Sequence, residues 1–147
     1  MTVRPAVVFL RDDAVLLMQY RYGDTDVFAL PGGNPDPGED LEATLRRELM
    51  EELGVVIRVS KLLFCGVVVA RPNQKEDVLH CVFSGEISAG EPALNPQHTT
   101  AKSIIWKPVA ELTHLAMYPS VATATQEHYT ATLPTTYLGY IDQPYFS

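Results

Sequence analysis

The 147-residue chain predicts one domain of the mixed α/β (α+β) class. Three observations carry that expectation. Apolar, β-branched runs of strand length recur at 7–10, 14–20, 27–30, 55–70, 78–87 and 101–106. Between the third and fourth, a Gly/Pro-rich loop at 31–38 opens directly into an amphipathic helix at 40–53. No internal repeat, low-complexity tract or linker divides the sequence, so 1–147 reads as a single domain long enough to bury a core.

Runs 7–10 and 14–20 are joined through Arg11-Asp12-Asp13, which predicts a hairpin. Tyr20-Arg21-Tyr22-Gly23 then reads as an ordinary loop whose Arg lays its stem on apolar surface. The alternative is an aromatic surface in which Tyr20 stacks a base and Arg21 meets a phosphate. Run 27–30 is a short strand feeding the glycine loop, which places loop amides and carbonyls at a helix N-terminus, a natural place for phosphate and metal contacts. After the helix, 55–70 is expected to be a central strand bent at Gly66, 71–77 a polar turn and 78–87 its antiparallel partner. On that partner His80 shares a face with Val78 and Val82, and packs rather than ligates. Residues 88–100 form a loop, 101–106 a strand, and Pro108 opens a short helix to 112. The second main helix is expected at 119–131.

The tail, 133–147, carries Tyr137, Tyr140, Tyr145 and Phe146, too aromatic for a disordered end. It is expected to cover its own core; covering a sheet edge, lining a substrate mouth or exchanging with a second subunit in a homodimer are the alternatives. Cys65 and Cys81 lie in apolar runs without a C-x-x-C pattern, which predicts buried free thiols rather than a disulfide or zinc site.

The helix at 40–53 begins conventionally, with Glu39, Asp40 and Glu42 at the positive end of its dipole and Gly54 suited to the left-handed position after its end. Its last turns are different. Glu48, Glu51 and Glu52 stand at i, i+3 and i+4, where like charges repel by roughly 0.2–0.5 kcal/mol per pair. Glu51 and Glu52 also occupy the dipole's negative end, at a cost of roughly 0.3–1 kcal/mol each. On a helical wheel Leu41, Leu45, Leu49 and Leu53 fall near about 0°, 40°, 80° and 120°; Glu52 falls near 20°, inside that stripe, Glu48 near 340°, at its edge, and Glu51 near 280°. An ionised carboxylate pressed against a core needs a partner, and clustered carboxylates hold hard divalent cations. The expectation is therefore a Mg²⁺ or Mn²⁺ site between helix and glycine loop, against the plainer reading of a solvated acidic face.

Gly33, five residues, Glu39, seven residues, Arg47-Glu48-Leu49, one residue, Glu51-Glu52, one residue and Gly54-Val55 match every fixed position of the Nudix box, G-x5-E-x7-R-E-U-x-E-E-x-G-U with U aliphatic. Phe28-Ala29-Leu30-Pro31-Gly32-Gly33 and the W-x-P-x-x-E-L pattern at Trp106 to Leu112 are also common in that family. The chain thus resembles the Nudix hydrolases, MutT-like nucleoside diphosphate-X pyrophosphohydrolases. The resemblance implies an α/β/α sandwich around a central mixed β-sheet. It implies metal ligation by Glu48, Glu51, Glu52 and the backbone carbonyl of Gly32 or Gly33, and a catalytic group of Glu48, Arg47 and Glu51. Glu48 would orient or deprotonate the attacking water, Arg47 would hold the glutamates in place, and Glu39 would ligate a second ion or pin the loop. Substrate contacts would come from Arg21, Tyr20 and Gly33.

Many family members supply a further acid from the loop before the Trp-bearing strand, yet 93–100 contains no carboxylate. Glu91, Glu76, Asp77 and His98 are the candidates to replace it. The overall charge is −7, from 18 acids and 11 bases, and 36–52 alone holds seven acids against two bases. That balance argues against nucleic acid or an anionic membrane as partner and leaves a small phosphorylated nucleotide, reached through a metal. No apolar run is long enough to span a bilayer and Met1-Thr2-Val3-Arg4-Pro5 is not a signal peptide, so a cytoplasmic location is expected. The functional expectation is hydrolysis of a pyrophosphate bond in an NTP, ADP-ribose or NDP-sugar type of substrate. The alternative is a nucleotide-sensing or partner-binding module that kept the fold without turnover.

Overall fold

Seven strands and two α-helices build the structure, a computed structural model that describes residues 1–144. The strands are β1 (Thr2–Arg11), β2 (Ala14–Tyr22), β3 (Thr25–Ala29), β4 (Val56–Val68), β5 (Val78–Ala89), β6 (Ser103–Pro108) and β7 (Thr136–Tyr140). Helix α1 (Leu41–Leu53) lies between β3 and β4; a 3-10 helix (Val109–His114) and α2 (Ala122–Thr130) follow β6. The sheet runs β3-β2-β1-β5-β4-β7, with β6 paired to β2. β1 and β5 are parallel, from Thr2 opposite Val78 to Phe9 opposite Gly85, while β4 is antiparallel to β5.

Strand alternation sends successive side chains to opposite faces. Ala6 and Val8 of β1 and Val15 and Leu17 of β2 enter one core with Val109, Leu112 and Ala124, beneath the 3-10 helix and α2. Val7, Phe9, Leu16 and Met18 enter the other core with Leu45, Leu49 and Leu53 of α1. Both faces of the sheet are therefore covered by helix, the expected α/β/α layering. The three α1 leucines are at most 1% exposed, and each contributes about 2 kcal/mol of burial that holds the acidic helix to the sheet. Among the described residues no helix is long and apolar enough to cross a membrane.

The β1–β2 hairpin forms as expected, with Asp12 and Asp13 both at positive φ (51° and 62°), the conformation a two-residue hairpin turn requires. Other expectations are corrected. β1 starts at Thr2, because its first half is held by β5, far along the chain, and Thr2 N–H donates to Asp77 O at 3.0 Å. β4 is not central; it lies between β5 and β7, and its register shifts against β5 at Val56–Ile57 and between Val59 and Phe64, while against β7 it shifts between Cys65 and Val67, at the expected Gly66. Tyr20 to Tyr22 is not a loop but the end of β2, paired with β3 as Tyr20–Val27, Arg21–Asp26 and Tyr22–Thr25. The second helix begins at Ala122, since Tyr118 N–H is spent on Phe28 O (3.0 Å) and Val121 N–H on Pro119 O (2.9 Å), a turn that docks on β3. The tail adds β7 in parallel to the free edge of β4. Leu138 and Ile141 reach the core, but Tyr137 and Tyr140 are 65% and 77% exposed, so the aromatics are not what buries it. Tyr145 and Phe146 lie outside the described residues. Both cysteines are free thiols and face each other across β4 and β5; Cys81 is buried, whereas Cys65 is only half-buried.

Candidate active site

Asp40 caps α1 by accepting from Ala43 N–H at 2.7 Å, and Gly54 ends it at φ 68°. Immediately before the cap, Glu39 turns back into the loop. It accepts from Asp36 N–H (2.8 Å), Thr44 Oγ1 (3.0 Å) and Arg47 Nε and Nη2 (2.7 and 2.9 Å). Those bonds to the ionised form, Arg47 foremost, hold its pKa down at about 2. Arg47 also donates to Glu48 Oε1 (3.1 Å), Glu51 Oε2 (3.2 Å) and Asn34 O (3.0 Å), and its Nε stands 3.2 Å from Asp36. One planar guanidinium thus ties the loop to the acidic face of the helix, and its charge-assisted bonds fix both.

Two glycines permit the loop's approach. A Cβ at Gly32 would stand 2.2 Å from Pro5 O, and one at Gly33 only 2.2 Å from the Glu48 carboxyl carbon. The loop is pinned to β1 by Val7 N–H to Pro31 O (2.9 Å) and Gly33 N–H to Pro5 O (3.3 Å). Main chain of the loop and carboxylate of the helix are in contact because no side chain intervenes.

Glu52 is 9% exposed, as its place in the leucine stripe predicts. Burial and then the charge of Glu48 push its pKa up to about 7; Glu51 adds to this, while Arg4 and a hydrogen bond with Thr99 oppose it. The expectation that only a metal could balance the three glutamates needs correction, since Arg47 already serves Glu48 and Glu51. The unbalanced carboxylate is Glu52 alone. Among the described residues no three acidic, histidine or cysteine side chains converge as a ready metal cage; Arg47 lies among Glu39, Glu48 and Glu51 instead.

The loop at 93–100 is stitched to the end of α1: Ala93 N–H donates to Leu53 O (3.1 Å) and Asn95 N–H to Glu52 O (2.9 Å). These are carbonyls that a helix end leaves unpaired. The stitching creates a cavity of about 360 Å³ walled by Tyr20, Glu52, His98, Thr99 and Thr100. Of the four candidates for the missing acid, His98 alone shares that cavity with Glu52. Glu91 pairs with Arg11 (2.9 Å), Glu76 with the Met1 amino group (3.4 Å), and Asp77 accepts from Ala70 N–H (2.8 Å).

Tyr20 also walls a second cavity, of about 480 Å³, reaching Gly32 and lined further by Arg4, Tyr22, Asn34, His80 and Tyr118. Arg21 is not in it; its guanidinium is paired with Asp26 at 2.9 Å on the surface. No local pattern in the sequence marks Arg4 or Tyr118 for this place. Arg4 arrives opposite His80 through the β1–β5 pairing, and Tyr118 through the turn docked on β3. A further cavity, about 750 Å³, lies elsewhere, between Asp13, Val109, Gln126 and Tyr129, and touches neither the glycine loop nor α1.

A family model for the NUDIX domain matches residues 1–128. Escherichia coli proteins named NAD-capped RNA hydrolase NudC are 33% identical over 91 residues, 62% of this chain, so that the match spans about a third (34%) of the length of those relatives. Among solved structures, a NUDIX hydrolase from Nitrosomonas europaea superposes with a TM-score of 0.73 at 22% identity, covering 99% of this chain and 97% of that one. A MutT NUDIX hydrolase from Burkholderia pseudomallei gives 0.70 at 24% identity, with 85% and 96% covered. An ADP-ribose pyrophosphatase from Streptococcus suis gives 0.67 at 16%, with 92% and 98% covered. At these identities the structural likeness is one of fold.

Proposed function

The chain belongs to the Nudix family of pyrophosphohydrolases, and from that premise we propose that it hydrolyses a pyrophosphate bond in a nucleoside diphosphate linked to a further group. Nudix hydrolases generally use divalent metal ions. Glu48, Glu51 and Glu52 would hold one here, Mg²⁺ or Mn²⁺, with a carbonyl from Gly32 or Gly33. The observation that carries this reading is Glu52, a buried carboxyl whose pKa is pushed to about 7 and for which the described residues form no ion pair, against two further carboxylates on the same helix face. Oxygen donors of that charge beside an open glycine main chain fit a hard divalent ion.

When bound, the ion supplies positive charge against pyrophosphate oxygens that otherwise repel a nucleophile. Glu48, held by Arg47 at 3.1 Å, orients the attacking water and accepts its proton. Water adds across one P–O bond of the bridge, which yields two phosphorylated products or a monophosphate and pyrophosphate. Arg47 acts as a positioning residue for Glu48 and Glu51, and Glu39 pins the loop. The nucleoside occupies the cavity of about 480 Å³ that ends at Gly32, with Tyr20 between it and Glu52. Arg21, paired to Asp26, is left without a part. The NudC relatives are named for capped RNA; the charge of −7 on this chain favours a small nucleotide instead.

The test is a panel of NTPs, ADP-ribose, NDP-sugars, NADH and dinucleoside polyphosphates with Mg²⁺ or Mn²⁺, resolved by product identity. Turnover of one class is expected, and a wholly untouched panel would overturn the reading. The competing reading, a nucleotide-sensing module without turnover, draws on Arg47 already lying among the carboxylates. It would be favoured by tight nucleotide binding that yields no product and is indifferent to Glu51→Gln and Glu52→Gln.

A further inference from the structure

His80 sits on β5, opposite Arg4 of β1, and is only 2% exposed. Its Nε2 is buried without a hydrogen-bond partner. Buried polar atoms are nearly always satisfied, and leaving one unpaired is costly. This one belongs to a ring that forms part of the wall of the cavity of about 480 Å³ ending at Gly32. A ring on the cavity wall that carries an unpaired nitrogen points to a partner that enters the cavity and meets the ring.

The wall indicates what that partner is. It contains no carboxylate, so it does not select a cation. Tyr118 meets His80 edge-on, with ring centroids 5.7 Å apart, and Tyr20 and Tyr22 stack at 6.4 Å, so the space is bounded by aromatic rings. A flat heterocycle with a hydrogen-bonding edge matches that lining. We propose that His80 is a specificity-determining residue, its imidazole hydrogen-bonding to the edge of the nucleobase held in this cavity. The proposal rests on the reading that the nucleoside occupies the cavity beside Gly32. Burial, helped by the charge of Arg4, lowers the His80 pKa to about 4, so near pH 7 the ring is neutral. A neutral imidazole presents one donor and one acceptor, which distinguishes bases by their edges rather than by phosphate charge.

The experiment measures binding of AMP, GMP, CMP and UMP by calorimetry, with Mg²⁺ present, to the unaltered protein, His80→Gln and His80→Leu. Monophosphates lack the scissile bond, so the readout is independent of turnover. The unaltered protein is expected to prefer one base over the least favoured by about tenfold or more. His80→Leu should bring that ratio to within about twofold by weakening the favoured base alone, while His80→Gln, which keeps a donor and an acceptor, recovers part of it. Equal binding of all four bases by the unaltered protein would overturn the proposal, as would a His80→Leu protein that loses affinity for all four alike or keeps the original ratio. Product formation in the substrate panel with unchanged base preference in His80→Leu would sink this inference and leave the hydrolase reading intact. Collapse of the preference without any product in that panel would do the reverse.

Discussion

Replacing Glu52 by Gln should make the metal-free protein more stable, although it removes a residue of the proposed metal site. The carboxyl stands at about 7 instead of the ordinary 4.5, chiefly through burial and then the charge of Glu48. That displacement has a ceiling of about 3 kcal/mol, and the solvent reaching the cavity beside Thr99 screens it to about 1–2 kcal/mol. The native state binds the Glu52 proton more tightly than the unfolded chain does. Its contribution is therefore fully present below pH 4.5, is lost as pH rises towards 7, and leaves an uncompensated charge above that. Gln removes the charge and keeps a hydrogen bond to Thr99 within reach. Thermal unfolding in EDTA at pH 8 should show Glu52→Gln melting about 3–6 °C above the unaltered protein, with no difference at pH 4.5 or below. Adding millimolar Mg²⁺ at pH 8 should raise the unaltered protein's Tm and narrow or invert that gap, because an ion that binds only the native state stabilises it. A Glu52→Gln protein that melts lower at pH 8, or that gains equally at both pH values, would refute the electrostatic reasoning.

The other predictions concern the groups that set this helix against its loop. Gly33→Ala places a methyl group 2.2 Å from the Glu48 carboxyl carbon; the side chain can swing away, so Tm should change little while kcat falls by about 10²-fold, the usual effect of a misplaced catalytic group. Arg47→Lys keeps the charge but cannot span Glu39, Glu48 and Glu51 together; kcat/KM should fall by about 10–100-fold, and rescue of activity by excess metal alone would contradict the positioning role. Glu39 has a depressed pKa of about 2, so its stabilising effect is present above pH 4.5 and is lost as pH falls from there towards 2. Acid unfolding followed by circular dichroism should accordingly be shallower over that window in Glu39→Gln, and an unchanged profile would contradict the pairing with Arg47.

What could be read from sequence was local. Helix α1, its stop at Gly54, the burial of Glu52 and the hairpin at Asp12-Asp13 all follow from periodicity and turn chemistry within a few residues. Contacts between distant segments were not legible in the same way. Strand β1 begins at Thr2 because β5 pairs with it, and that pairing is also what brings Arg4 across from His80. The tail joins the edge of β4 through main-chain bonds that its aromatic residues do not announce. Tyr20 to Tyr22 resembles a loop by composition, yet pairing with β3 draws it into β2 and turns Arg21 to Asp26. Within the site, the acidic cluster was evident, whereas the extent to which Arg47 neutralises it depends on a side-chain geometry that spacing alone does not specify.

The fastening of residues 93–100 to the end of α1 bears on how this protein can vary. Both anchoring bonds run from amides of Ala93 and Asn95 to carbonyls of Leu53 and Glu52, so any residue but proline, which lacks the N–H, can make them at those donor positions. Amino-acid replacements there are free to remodel the rim around Glu52 without unmooring it. Insertion or deletion of a single residue is a different matter, because it shifts the amide register and carries Thr99 and His98 away from the glutamate. Variation in this segment should thus be permissive in identity and strict in length, which makes it a suitable place for altering chemistry by substitution and a poor one for grafting.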